Sequence, residues 1–166
     1  MILTLDEHPD GVVTSAGNHV VYDLRRNEAH LGAARVEGPA LVWKLSRDPR
    51  PGAWLLRCDR IDFPPGGVAY RHVHPGPGIR RLLHGELTIA RDDSKHTYRA
   101  GESWFEDADD PVTATASGTD ATAFVRVLLL PAEWAGKRTI RYLDEADEER
   151  PKLQRASVLL EELVAP

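Results

Sequence analysis

Apolar residues in this chain come in short runs, each closed by turn-forming residues, and this rhythm predicts strands. The clearest runs are 53–63, 79–83, 86–91, 112–116 and 122–130, with the more polar 95–99 and 102–106 set off by the same kind of turns. Between them lie PPGG at 64–67, PGPG at 75–78, His84-Gly85, Asp92-Asp93-Ser94, Ala100-Gly101 and 117–120, all with the turn chemistry of Pro, Gly, Asp and Ser. Short strands at this close spacing argue for an all-β sandwich or barrel. Upstream, 19–22 and 40–45 read as further strands, 1–10 as a lead-in, 23–37 as loop or a turn of helix, and 46–52 as a loop. Pro131 ends the barrel-like part, so the barrel core is expected over about 40–130 of a single domain. The tail is different: 133–141 carries Trp134 and basic residues, 144–150 is highly charged, and 152–163 is apolar again around Val158-Leu159-Leu160. It is expected to cover an open barrel end or to pair with a second chain, making a homodimer.

One strand carries candidate chemistry. In 66–74, GGVAYRHVH, strand alternation puts Tyr70, His72 and His74 on one face and Arg71 and Val73 on the other. Two imidazoles side by side can grip one divalent metal ion, although a pair alone is a weak, open site that calls for further ligands. The bland alternative is two histidines on a half-exposed strand with no ligand at all.

This stretch resembles the first motif of the cupins, G-x5-H-x-H-x3,4-E-x6-G, with Gly66, His72, His74 and Gly85 on the pattern. Gly78 or Ile79 stands where the motif has its glutamate. The second motif, G-x5-P-x-G-x2-H-x3-N, opens at Gly101, but Asp107, Asp109, Val112 and Ala116 replace its Pro, Gly, His and Asn. The resemblance covers roughly 52–130. It implies a double-stranded β-helix, or jelly-roll, barrel with short N- and C-terminal extensions, and a divalent ion of the kind many cupins hold on three His and one Glu.

Since Gly78 and Val112 cannot ligate, the missing ligand is sought in Glu106, which shares strand parity with Trp104 and Glu102. His72, His74 and Glu106 would make a two-His-one-carboxylate set suited to Fe(II), with Mn, Ni or Zn as alternatives. The competing reading of Glu106 is a surface glutamate beside an acidic loop. His84 and His96 are weaker candidates; His8, His19 and His30 precede the barrel and are expected at the surface.

If position 78 points inward, so do Arg80 and Leu82. A buried guanidinium needs a partner, either an internal carboxylate such as Glu106 or a substrate carboxylate. Tyr70 could donate to a ligand or act as a general acid, or simply be packed. Arg126 interrupts an apolar strand and is expected in the pocket or paired at the rim. Trp43, Trp54, Trp104, Phe105 and Phe124 are expected in the core or pocket wall.

Composition narrows the classes of function. The 166 residues suit one domain, and the net charge of −5 gives no basic footprint for nucleic acid or anionic membrane. A lone cysteine, Cys58, in an apolar run reads as buried and inert, and it fits a reducing, cytoplasmic setting. No run reaches the length of a membrane span, and the N-terminus lacks the basic and apolar regions of a signal peptide. P-loop, dinucleotide and G-x-S-x-G signatures are absent. The expectation is a metal-dependent enzyme of dioxygenase, isomerase or lyase type acting on a small organic anion. The alternative is a metal-free barrel that binds a small molecule without transforming it.

Overall fold

The computed structural model describes residues 2–13, 18–46 and 52–164. The expected loop at 46–52 lies almost wholly outside them. The N-terminal part contributes β1 (Ile2–His8), β2 (Val12–Val13), β3 (His19–Asp23), β4 (Glu28–Leu31), β5 (Arg35–Val36) and β6 (Ala40–Ser46). Four of these form an antiparallel sheet in the order β1-β6-β3-β4, and β2 pairs with β5 in a small ribbon. Residues 23–37 are thus two strands and their turns, not helix or plain loop. The first turn is built by side chains: Asp23 Oδ1 accepts from the backbone N–H of Arg25 and of Arg26, and Asn27 takes φ 55° while its Oδ1 accepts from Tyr22 Oη. Asp and Asn tolerate such turns by bonding to nearby backbone. β6, expected in the barrel, belongs to this N-terminal sheet.

The barrel strands are β7 (Trp54–Phe63), β8 (Val68–Val73), β9 (Gly78–His84), β10 (Glu86–Ala90), β11 (Lys95–Arg99), β12 (Ser103–Glu106), β13 (Val112–Ala116) and β14 (Thr122–Pro131). A one-turn 3-10 helix (Ala132–Trp134), β15 (Arg141–Tyr142), α1 (Glu145–Glu149) and β16 (Arg155–Val164) follow. They form two facing five-stranded sheets, β12-β9-β14-β7-β16 and β11-β10-β13-β8-β15. The tail therefore supplies one edge strand to each sheet. Its apolar centre, Leu159 and Leu160, packs on the chain's own core.

β7 and β14 are almost continuously buried because both their faces are covered. Outward, Leu56, Cys58, Val125, Val127 and Leu129 pack against Val20, Tyr22, Leu41 and Trp43 of the N-terminal sheet. That is why their sequences lack the polar-out alternation of a half-exposed sheet. Cys58 sits in this seam, fully buried, and burial pushes its thiol pKa up, away from reactivity.

The inward faces are layered. At one end lie Leu55, Leu128 and Leu130, with Trp134 against them. At the other lie Ile61, Phe63, Ala69, Leu82, Ile89, Trp104, Ala114 and Phe124. Between these apolar ends the same strands carry charge or imidazole: Arg57 and Asp59 on β7, Arg126 on β14, Arg80 on β9, Glu106 on β12 and His72 on β8. A polar belt inside a protein must satisfy itself, and the pairing along this belt defines the candidate site.

Candidate ligand pocket

A cavity of about 360 Å³ opens along the belt, a size at the small end of the usual range for ligand sites. Arg80, Glu106, His72, His74 and Arg126 are on its wall, together with the aromatic end of the barrel. The tail closes its mouth with Arg138, Thr139, Ile140, Tyr142, Lys152 and Gln154.

Strand parity delivers Arg80 and Glu106 as expected. β12 pairs with β9 in a register that sets Trp104 beside Arg80 and Glu106 beside Gly78. Arg80 is 1% exposed. Its Nη1 donates to the Gly78 carbonyl oxygen at 2.6 Å, and its Nη2 stands 2.7 Å from Glu106 Oε2. That second contact is an ion pair without aligned N–H groups, and among the described residues Nη2 has no hydrogen-bond acceptor. Glu106 Oε1 accepts from Trp104 Nε1 at 2.8 Å. Burial alone would raise the Glu106 pKa; the adjacent Arg80 charge and the Trp104 N–H outweigh it and hold the carboxyl below its usual range. Burial has the upper hand at Arg80, pulling its pKa down to about 10, so both groups stay charged near neutrality.

A second charge cluster lies beside the first. Asp59 is fully buried; its Oδ1 accepts from Arg57 Nε at 2.8 Å, and its Oδ2 accepts from Arg126 Nε at 3.1 Å and Nη2 at 3.0 Å. Arg57 also donates to the Lys137 carbonyl and pairs with Glu161. Arg126 also donates to Thr139 Oγ1 at 3.1 Å and, through Nη1, to His74 Nε2 at 3.0 Å. His74 Nδ1–H in turn donates to the Thr139 carbonyl at 2.8 Å, so its neutral tautomer ties the tail to the barrel. Asp59 and Thr139 were not singled out from the sequence. The signal for Asp59 was present in the charged alternation RCDRID inside an apolar strand; Thr139 comes from the non-local tail and left none.

The two histidine rings share the cavity wall, 4.9 Å apart at 77°. His72 Nδ1 donates to the Tyr70 carbonyl at 2.7 Å, which leaves Nε2 as the lone-pair nitrogen. Burial, first of all, drives the pKa of both imidazoles down, His72 to about 4 and His74 well below its ordinary value. Tyr70, expected on the same face, is not on the cavity wall. β13 pairs Val112 with His72 but Ala114 with Ala69, so β8 carries a bulge there. The extra residue breaks the two-residue alternation and brings Ala69 inward instead. The Tyr70 ring lies under the Arg150 guanidinium, 4.9 Å from its centroid. His84 bonds the Ala121 carbonyl and His96 packs on Tyr98; neither lines the cavity, and nor do His8, His19 and His30.

The residues present do not fit a divalent cation. Of the expected ligands His72, His74 and Glu106, Glu106 is engaged by Arg80 and Trp104, and His74 Nε2 by Arg126. Among the described residues no three His, Cys, Asp or Glu side chains are grouped so as to hold a metal. Two guanidinium charges beside the belt would repel an incoming ion. Nor can the glutamate slot be refilled: a Cβ at Gly78 would lie 2.4 Å from the Val127 carbonyl oxygen and 3.3 Å from Arg80 Nη1.

Two facing antiparallel sheets rolled around a buried polar pocket define a small jelly-roll barrel. Residues 59–128, from β7 to β14, match the family model described as Cupin domain, which puts this part of the chain in the cupin superfamily. Among solved structures it is similar to an RmlC-like cupin from Shewanella frigidimarina (19% identity, 52% of this chain and 84% of that one, TM-score 0.42). It is also similar to the polyketide cyclase RemF from Streptomyces resistomycificus (16% identity, 61% and 80%, TM-score 0.44). A recombinant oxalate oxidase in complex with glycolate matches as well (21% identity, 51% and 55%, TM-score 0.40). No curated protein matches the sequence. No helix among the described residues is long and apolar enough to cross a membrane.

Proposed function

We propose that the barrel binds a small organic anion without a resident metal, with Arg80 as the anchor. The observation that carries this reading is the buried Arg80 guanidinium on the cavity wall, whose Nη2 meets Glu106 Oε2 at 2.7 Å without an aligned hydrogen bond. A buried donor left unmade is costly, and a carboxylate oxygen would satisfy it with a charge-assisted bond. The charge balance agrees. Five cations line the cavity (Arg57, Arg80, Arg126, Arg138 and Lys152) against two carboxylates on the wall (Glu106 and Glu148) and two behind it (Asp59 and Glu161), a small positive excess in a chain whose net charge is −5. Such a wall focuses anions into the cleft. His72 Nε2, the cavity imidazole nitrogen without a hydrogen-bond partner among the described residues, accepts a proton-bearing group of the same ligand.

Thermal unfolding with and without small carboxylates tests the reading. A ligand at a hundred times its Kd adds roughly 2.7 kcal/mol, or roughly 5–10 °C in a protein of this size. The double variant Arg80→Met/Glu106→Gln removes both charges together, keeps an acceptor for Trp104, and is expected to abolish the shift. No shift with any carboxylate, or an equal shift in the variant, sinks the proposal. Isothermal titration with Fe(II) and Zn(II) covers the metal-dependent enzyme reading, which rests on the adjacent His72 and His74 rings. Submicromolar binding lost in His72→Ala would establish that reading instead.

A further inference from the structure

The anion pocket proposed above has a second end, and its shape specifies the ligand further. The Trp104 ring is held on two sides. Its Nε1–H donates to Glu106, and one face stacks on Tyr98, with centroids 4.6 Å apart and planes at 23°. Phe124 meets Trp104 edge-on at 5.3 Å, and Phe63 follows Phe124 at 6.2 Å. Tyr98 is not on the cavity wall, whereas Trp104, Phe124 and Phe63 are. Trp104, Phe124 and Phe63 thus give this end of the cavity an aromatic wall.

The facing sheet answers this aromatic wall with two of the smallest side chains. Ala69 on β8 and Ala114 on β13 are register partners, both buried and both on the cavity wall. Facing sheets lie roughly 10 Å apart, a gap normally filled by interdigitating side chains from both. With Ala69 and Ala114 on this side, flanked by Ile89 and Val112, the gap between the sheets is left partly unfilled here as an apolar slot. The register also places this slot directly beside the anchor, because Trp104 and Arg80 are cross-strand partners. Such pairs are about 5 Å apart at Cβ.

Every cavity cation already has a protein partner, Arg80 in Glu106, but among the described residues Arg80 Nη2 is the buried guanidinium nitrogen left without a hydrogen bond. Arg57 and Arg126 share Asp59, Arg138 pairs with Glu148, and Lys152 donates to the carbonyls of Asp147, Glu148 and Arg150. That leaves room for one anionic group, next to one apolar slot. We propose that the ligand is an aromatic monocarboxylate of one or two rings. Its carboxylate sits on Arg80, and its ring lies between Trp104 and the Ala69–Ala114 pair, joined to the carboxylate directly or by a short chain. This inference rests on the anion-binding reading. Offset and edge-on contacts with Trp104 and Phe124 favour a ring over a saturated group of equal size.

Isothermal titration with benzoate, 3-phenylpropanoate, cyclohexanecarboxylate, butyrate and benzyl alcohol tests it. At least one aromatic acid is expected to bind tenfold or more tightly than cyclohexanecarboxylate, with benzyl alcohol not detected. Ala114→Leu fills the slot and is expected to erase that preference. The readout is a ratio of two affinities, which partial destabilisation does not move, and the wild-type ranking stands even if the variant fails to fold. Equal affinity for the saturated and aromatic acids, or a preference that survives Ala114→Leu, overturns the aromatic assignment while leaving anion binding intact. Binding of none of the acids removes the anion reading and this one with it.

Discussion

Asp59→Ala is expected to bring the chain close to unfolding, with a loss of about 3–5 kcal/mol or more from a total that is typically about 5–15 kcal/mol. The reason is arithmetic of charge. One fully buried carboxylate accepts from both Arg57 and Arg126, themselves 7% and 6% exposed. Removing it leaves Arg126 buried without a carboxylate and Arg57 with Glu161 alone. The loss then spreads. Arg126 loses the contact that aims it at His74 and Thr139, and Arg57 the one that aims it at the Lys137 carbonyl, so the tail's hold on the barrel mouth loosens. Asp59→Asn keeps one acceptor oxygen but no charge, and is expected to fall between wild type and Asp59→Ala. Urea unfolding monitored by circular dichroism measures the midpoint. Asp92→Ala, which breaks the solvent-exposed pair with Arg71, serves as control and is expected to leave the midpoint in place. A wild-type midpoint in Asp59→Ala would mean that the polar belt is hydrated and worth little.

That cluster also shows where sequence reading stops. The barrel strands were legible because each combines β-rich apolar residues with a turn of fixed chemistry: PPGG before β8, Asp-Asp-Ser before β11, Ala-Gly before β12. Arg80 and Glu106 were legible because strand parity is local, and β9 and β12 keep it without interruption. Tyr70 was misplaced because parity fails at a bulge, and a bulge is a property of two paired strands, not of one. The strands β4 and β5 span only four and two residues, too short for any period to register, so 23–37 looked like loop. The sequence shows Asp59 beside Arg57, but not that the two meet Arg126, which is 67 residues from Asp59. The third layer was hidden for a related reason. A strand covered on both faces has no alternation to read, and nothing in 40–45 says whether it pairs with the barrel or covers it.

Glu106→Gln is expected to cost about 3–5 kcal/mol, because it leaves Arg80 charged, buried and without its counter-ion. The substitution retains an oxygen for Trp104 Nε1, so the loss reports the charge and not the missing hydrogen bond. Arg80→Met/Glu106→Gln is expected to recover most of that loss, since a neutral pair of similar volume carries no ionic desolvation cost. Acid gives an independent check. The Glu106 carboxyl titrates below its ordinary value of 4.5 in the folded state, so the pair's contribution is complete above that pH and is lost as pH falls through the folded value. The double variant lacks this component. Wild type and double variant both lose stability from His72 and His74 as pH drops below 6.5, and the opposed effects of Glu106 and Arg80 on the His72 pKa are removed together in the double variant. The further loss expected in wild type alone below about pH 4.5 is the one assigned to Glu106. The same single variant bears on the ligand. Glu106 and a bound carboxylate compete for one guanidinium, so removing Glu106's charge is expected to tighten anion binding, and saturating carboxylate is expected to restore part of the lost stability. A Glu106→Gln protein that is destabilised but indifferent to carboxylates would show that Arg80 serves the fold alone.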